Sequence, residues 1–363
     1  MRVFIDIGHP AHVHYFKNFI RIMKQNGHVL CFTARDKEMT HYLLKYLNLS
    51  FYNRGKGSDS VIGKIMYMLK ADFLLLKLAK KFKPDLFLSF GSPYAAHVSS
   101  LLRKPHIVFD DTENAKFGQM FYRPFTNHIL SPTCFKPNFG QKHIKFEGFM
   151  ELCYLHPKYF APNVSVLIEN NIKPNEKFVI MRFVSWQANH DIGHTGINLE
   201  NKILAVKTFS KYAKVYISSE KDLPVELLPY KLNIKPEHIH HVLKYASLVF
   251  GESATMASES AVLGTPAIYL DNVGRGYTTE QQEKYGIVYN FKENNQDVKK
   301  AIDMGIQILQ NESGRFDESR NSMLVEKICM TDFMVWFVEN YPMSASIMNE
   351  NSDYQNQYKY PLN

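Results

Sequence analysis

Cysteine is scarce and unpatterned. Cys31, Cys134, Cys153 and Cys329 lie far apart, with no CxxC pair among them. That spacing supports neither a zinc site nor a disulfide framework, and the four read as reduced thiols of a cytoplasmic protein. Long apolar runs are also missing: none reaches the roughly 18 residues that a membrane-crossing helix needs. The opening MRVFIDIGHP is too short in its apolar part for a signal peptide and carries Asp6 inside it, so it reads as a strand entering a fold. Basic residues outnumber acidic ones by 43 to 35, a formal net charge of +8, but they form no long run. Without a basic arm or zinc-finger spacing, nucleic acid is not an expected partner. An anionic small molecule or an anionic membrane surface fits the excess charge instead. Hydrophobic residues make up 45% and charged residues 21%, enough apolar material for a full core and too little charge for wholesale disorder.

What is present is an alternation of strands and helices, twice over. At roughly 100–200 residues per domain, 363 residues suggest two domains. RVFIDI, HVLCFTA, SFYNRG, DLFLSFG, HIVFDD and NHILSP read as strands of a first series, with helices at HVHYFKNFIRIMKQNG, KEMTHYLLKYL and VIGKIMYMLKADFLLLKLAKKFK. From Lys177 a second series runs through KFVIMRF, KVYISS, LVFGE and PAIYL, with helices between. Such alternation predicts two Rossmann-like, doubly wound parallel-sheet domains facing a cleft. The expected boundaries are 1–160 for an acceptor-side domain and 174–325 for a nucleotide-sugar-side domain. Residues 326–341 are expected to form a helix crossing back to the first domain. The Asn-rich stretch 342–363 is expected to be a disordered tail.

In open parallel sheets ligands sit at the carboxyl ends of the strands, so the loops after strands are the places to look. VFGESATMASESAVLGTPAIY combines such a loop with an open helix start. Ser253, Ala254 and Thr255 are small enough to let an anion approach the unpaired N–H groups and positive dipole end of a helix. Glu259, about a turn later, suits the vicinal hydroxyls of a ribose. Ordinary Ser capping is the competing reading. After the first strand, GHPAHVHYF supplies His9, His12 and His14; an imidazole there can take a proton from a hydroxyl. No carboxylate or thiol cluster completes a metal set, so no metal is expected. FDDTENAK offers Asp110, Asp111 and Glu113 as orienters of sugar hydroxyls or as a base, with an Asx turn as the alternative. SFGSPYAAHV brings Ser92 to another small helix start. MRFVSWQANHDIG brings Arg182, Trp186, His190 and Asp191 to the end of a strand. Arg182 suits a phosphate, and the alternative is an ion pair. SSE, Ser218–Glu220, is a weaker strand-end signal.

GHPAHVHYFKNFIRIMKQNGHVLCFTA and ASLVFGESATMASESAVLGTPAIYL together resemble the glycosyltransferase-B fold. Two of its enzyme families look similar: the N-acetylglucosaminyltransferase that makes the lipid-linked peptidoglycan precursor, and the non-hydrolysing UDP-N-acetylglucosamine 2-epimerase. To about Phe337 the chain most resembles the family called domain of unknown function 354, through SPYAAHVSSLL, IVFDDTE, ISSE, IHHVLKYASLVFGES and TMASESAVLGTPAI. The resemblance implies a nucleotide diphosphate at Ser253–Thr255, the ribose at Glu259, and the uracil edge near Ile239 and His240. It puts His12 at the position of a histidine in the transferase, which makes His12 the leading candidate base, with Asp111 as the alternative. Three departures weigh against epimerase chemistry. Ala254-Thr255 stands for a glycine doublet, Ser92 for a carboxylate, and RFVSWQ for a His-Arg-Arg run. FDDTE can supply a different carboxylate.

The expected function is therefore a metal-independent glycosyltransferase in surface polysaccharide or glycolipid biosynthesis. It would use a nucleoside-diphosphate sugar, with UDP favoured by the resemblance, and no resident cofactor. His9, His14, Ser92, Asp110 and Glu113 are the expected contacts to acceptor or sugar. A nucleotide-sugar 2-epimerase or hydrolase and a non-catalytic sugar-nucleotide binder are the alternatives. The acceptor would be a saccharide or a lipid-linked molecule. The Lys-rich apolar helix at 61–83 is expected to be a core helix with a solvated Lys edge; peripheral contact with the inner face of the membrane is its alternative.

Overall fold

The computed structural model describes residues 1–58, 60–184, 196–220, 222–311 and 315–360. The chain divides into two compact units, Met1–Tyr154 with Lys327–Tyr360, and Leu155–Glu326. Trp186, His190 and Asp191 lie outside the described residues.

The N-terminal unit is built on strands β1 (Arg2–Ile7), β2 (Val29–Ala34), β3 (Tyr52–Asn53), β4 (Leu86–Phe90), β5 (His106–Phe109), β6 (His128–Pro132) and β7 (His143–Phe146). They form a parallel sheet in the order β3-β2-β1-β4-β5-β6-β7, so the order reverses beside β1. Helices α1 (Pro10–Gln25), α2 (Thr40–Tyr46), α3 (Val61–Phe82), α4 (Pro93–Leu101) and α5 (Lys116–Tyr122) make the crossovers, and a one-turn helix, α6 (Leu152–Leu155), marks the end of the unit's first segment. The strands are apolar on both faces because helices cover both. Phe4, Phe87, Cys31, Ala95 and Val98 pack with Leu75 and Ala79 of α3. The start of α1 follows from its sequence: Nδ1 of His9 accepts from the Ala11 N–H, and Pro10 opens the first turn, where its missing N–H costs nothing.

The C-terminal unit begins with α7 (Ser165–Glu169). Strands β8 (Phe178–Phe183), β9 (Lys214–Ser219), β10 (Leu248–Gly251), β11 (Ala267–Leu270) and β12 (Val288–Phe291) form a parallel sheet in the order β12-β11-β10-β8-β9. Helices α8 (Leu199–Phe209), α9 (Ile239–Tyr245), α10 (Ala254–Leu263), α11 (Gly276–Glu283), α12 (Asn295–Gln310) and α13 (Arg315–Glu326) complete it. Two glycines bracket α10. Gly251, at φ +153°, leaves β10 so close to β8 that a Cβ there would collide with the carbonyl oxygen of Arg182. Gly264, at φ +89°, ends the helix in the left-handed conformation that glycine adopts without penalty.

One expectation is corrected here. Residues beyond 342 are not a disordered tail in the part described. After α14 (Met330–Glu339) the chain forms α15 (Met343–Glu350) and a 3₁₀ stretch, Ser352–Tyr358, both belonging to the N-terminal unit. Tyr354 stacks on Trp336 at 4.8 Å, the Cys329 N–H donates to the Tyr358 carbonyl at 2.7 Å, and Gln355 accepts from the Glu147 N–H at 2.6 Å. The polar, Asn-rich composition of this stretch concealed a few well-placed aromatic and amide anchors. Helix α3 packs into the core through Ala71, Leu75 and Ala79, with Lys70, Lys77, Lys80 and Lys81 exposed, as expected; its first half in addition leaves large apolar side chains exposed.

Candidate functional site

In the C-terminal unit the site begins where β10 turns into α10. Ser253 is the N-cap, and its hydroxyl accepts from the Met256 N–H at 3.3 Å. Ser253, Ala254 and Thr255 are half-buried at the tip, while every residue from Met256 to Leu263 is buried. The capping reading of Ser253 is thus realised, and the small, accessible first turn coexists with it. Glu259 is buried on α10, and its Oε1 pairs with Nε2 of buried His240 at 2.8 Å. The two residues that the resemblance puts at the ribose and near the uracil edge therefore touch. Ile239 opens α9, next to His240.

Arg182 follows its alternative reading. At the end of β8 its guanidinium donates to Ser218 Oγ at 2.9 Å and to Glu220 Oε1 at 2.8 Å, so it is engaged with a carboxylate. Glu252 was missed by the sequence analysis. It is buried, and its two carboxylate oxygens accept from the Val184 N–H at 2.9 Å and the Ile197 N–H at 2.6 Å. Burial raises its pKa, against the opposing pull of Lys202 and those hydrogen bonds. An acidic residue directly before a Ser cap was the available signal.

In the N-terminal unit the ends of β1, β2 and β4 meet at Asp6, which is fully buried. Thr33 Oγ1 donates to its Oδ1 at 2.7 Å, Ser92 Oγ to its Oδ2 at 2.5 Å, and Arg54 Nε lies 3.0 Å from Oδ1. Arg54 also donates to the Tyr67 hydroxyl at 3.0 Å and packs 4.5 Å from the Tyr94 ring centre. Burial opposes the Arg54 charge, but Asp6 and the tyrosines more than offset it and hold the group above its ordinary value. Ser92 is consequently committed: it caps α4, accepting from the Ala95 N–H, and donates to Asp6. That bond network leaves it a poor contact for an acceptor. The signal for Asp6 was a lone charge inside an apolar strand, which burial obliges to find a partner.

His12 sits at the start of α1 against Phe90 and Tyr15, with Nδ1 accepting from the Gly8 N–H at 3.2 Å. A neutral imidazole whose Nδ1 accepts carries its proton on Nε2. Burial, then the charges of Lys37 and Arg54, push its pKa down to about 3. In this arrangement His12 is a hydrogen-bond donor and a weak base. His9 is the helix cap, and His14 stacks on Tyr154 at 5.3 Å.

The carboxylates after β5 differ from one another. Asp110 makes the Asx turn, accepting from the Thr112 N–H at 2.9 Å, and is also bonded by Tyr122 Oη at 2.5 Å and Gln119 Nε2 at 3.1 Å. Burial pushes its pKa up to about 6 against those bonds. It is a structural hub. Asp111, buried beside it, accepts from Thr112 Oγ1 at 3.0 Å, and Glu113 is half-buried on the same loop. Among the described residues no group of three or more His, Cys, Asp or Glu is arranged to hold a metal ion.

One pH dependence follows from this unit. Burial also lowers the pKa of His106, on β5, to about 3; its Nε2 meets Ser89 Oγ at 2.9 Å. The folded state keeps His12 and His106 neutral, whereas the unfolded chain protonates them below about pH 6.5. Their stabilisation is complete above that pH and is lost as pH falls from 6.5 toward 3. For fully buried His106 the expected slope is about 1.4 kcal/mol per pH unit. Urea midpoints measured between pH 7 and 5 should fall in the native protein and fall less in His106→Gln.

Two parallel α/β sheets of seven and five strands, each with a small-residue helix start at the carboxyl end of a central strand, define a glycosyltransferase-B-like fold. The chain belongs to the family described as protein of unknown function (DUF354), whose model matches residues 1–341. It is similar to the uncharacterized protein MJ0665 of Methanocaldococcus jannaschii, at 22% identity over 73% of this chain and 80% of that one. The UDP-GlcNAc 2-epimerase of Neisseria meningitidis, solved bound to UDP-GlcNAc, superposes with a TM-score of 0.68 at 13% identity, covering 94% of this chain and all of that one. MurG of Acinetobacter baumannii superposes with a TM-score of 0.59 at 13% identity, covering 93% and 99%. Both structures share the fold.

Proposed function

We propose that the protein is a glycosyltransferase that uses a nucleoside-diphosphate sugar, UDP-linked, to build a surface polysaccharide or glycolipid. The observation that carries this reading is the pairing of Glu259 with His240 one turn behind the open helix start at Ser253–Thr255. A carboxylate oriented by a buried imidazole suits a ribose diol, and N–H groups at a helix tip suit a diphosphate. The similar epimerase structure bound to UDP-GlcNAc supports the same ligand class. The diphosphate would sit at the α10 tip, with Arg182 nearby on the adjoining strand once it exchanges Glu220 for phosphate.

In the reaction, the acceptor oxygen attacks the anomeric carbon and the bond from that carbon to the phosphate oxygen breaks. The electron pair leaves on the diphosphate, where the helix N–H groups stabilise it. Asp111 is the base we assign to the acceptor proton. The depressed pKa of His12 and its engaged Nδ1 recast it as an Nε2–H donor that orients the substrate. The acidic loop at Asp110–Glu113 favours one second reading, a 2-epimerase or hydrolase acting on the donor alone.

The test is a thermal-shift screen against UDP, GDP, CDP, dTDP and their common sugars, followed by product analysis. A ligand at about 100 times its Kd adds roughly 2.7 kcal/mol of stability, so a rise with UDP compounds alone is the expected result. No rise with any nucleotide overturns the reading. Sugar isomerised or released without an acceptor selects the epimerase or hydrolase.

A further inference from the structure

Helix α3 presents an apolar face to solvent. Val61, Ile62, Ile65, Met66, Leu69 and Phe73 are between 49% and 77% exposed. At 100° per residue they form one stripe about 140° wide along the first three turns and a little beyond. Lys70, Lys77 and Lys81 are exposed along one border of that stripe, and Lys80 is exposed on its extension toward the C-terminus. The helix carries a single acid, Asp72, and its carboxylate is held by His97 Nδ1 at 2.9 Å. The adjoining side of α3 is the one that reaches the core, through Ala71, Leu75 and Ala79 in its C-terminal half, so the stripe of the first turns continues past the packed part of the helix. Six adjoining large apolar side chains exceed the scatter of exposed hydrophobics on an ordinary surface.

We propose that this face of α3 docks on an anionic lipid bilayer, with the apolar stripe at the boundary of headgroups and acyl chains and the lysines against the headgroups. Charge complementarity selects that occupant. A second copy of the same face would bring the same lysines together, whereas phosphate headgroups neutralise them. The helix does not cross the bilayer, since no described helix is long and apolar enough for that. The inference stands apart from the proposed reaction, because it uses no residue of the nucleotide site.

The test is sedimentation of the full-length protein with vesicles of phosphatidylcholine alone and of phosphatidylcholine with about 30% phosphatidylglycerol, without nucleotide. Binding to the anionic vesicles, weakened by salt and absent with neutral ones, is the expected result. Each lysine near an anionic surface is worth about a fivefold change in partitioning, so Lys70→Ala/Lys77→Ala should lower binding roughly 10- to 30-fold. Ile62→Gln/Phe73→Gln should bring it to background while the melting temperature is retained, because both side chains are exposed. Equal binding by that variant overturns the proposal. Absence of the native protein from anionic vesicles also overturns it, and a concentration-dependent dimer that the same variant dissociates would then assign the face to a second copy.

Discussion

Asp6→Ala should destabilise the N-terminal unit by about 3–5 kcal/mol, the cost of leaving a buried charge without its partner. Arg54 is almost wholly buried, and its nearest countercharge is Asp6 at 3.0 Å. The substitution also strips the acceptor from two hydroxyls, Thr33 at 2.7 Å and Ser92 at 2.5 Å. Since Ser92 caps α4, the damage reaches the strand order reversal beside β1. A double variant, Asp6→Ala/Arg54→Met, separates the causes. Removing both charges of a buried pair is often close to neutral, whereas removing one is not. The double variant should therefore recover much of the urea midpoint lost in Asp6→Ala. A single variant within about 1 kcal/mol of the native protein would mean that the guanidinium finds another anion or water, and the charge-pair account would fail.

Glu259→Ala should weaken UDP binding at least 100-fold, about 2.7 kcal/mol. Glu259→Gln should cost about 10- to 100-fold, because a hydrogen bond to a charged group contributes about 1.5–3 kcal/mol. His240 acts through Glu259 in this account: it fixes Oε1 at 2.8 Å and is a positioning residue. His240→Gln can still donate to the carboxylate and should lose less affinity than Glu259→Gln. Titration calorimetry with UDP measures all three, and melting curves without ligand check that each variant folds. Glu259→Gln binding UDP as tightly as the native protein would return α10 to the status of a capped structural helix. A His240→Gln loss larger than that of Glu259→Gln would move the recognition role to the imidazole.

The helix tip and the carboxylate behind it were legible in the chain. Gly251, Ser253 and the small residues after them define a strand–turn–helix by local chemistry, and Glu259 falls a turn and a half into α10 by helical count. The alternating strands and helices determined the two parallel sheets in the same way, since each period and each glycine or proline break acts over a few residues. Local capacity is all that such patterns convey. Whether Ser92 is spent on a cap, Asp110 on an Asx turn and Arg182 on Glu220 depends on which partners the fold brings within hydrogen-bond distance of each.

The rest was decided by long-range packing. Asp6 and Arg54 are distant in sequence and meet only because β1, β2 and β3 lie side by side. The basicity of His12 was set by burial and by Lys37 and Arg54, neither of which adjoins it in sequence. The tail was assigned by composition, but Trp336, Tyr354 and Gln355 hold it by contacts that composition does not count. For α3 the sequence determined a basic, strongly apolar helix. Which face is buried is a property of the surface it packs on: the sheet takes Leu75 and Ala79 and leaves Ile62 and Phe73 in water, so only the tertiary structure decides which apolar side chains of α3 stay exposed.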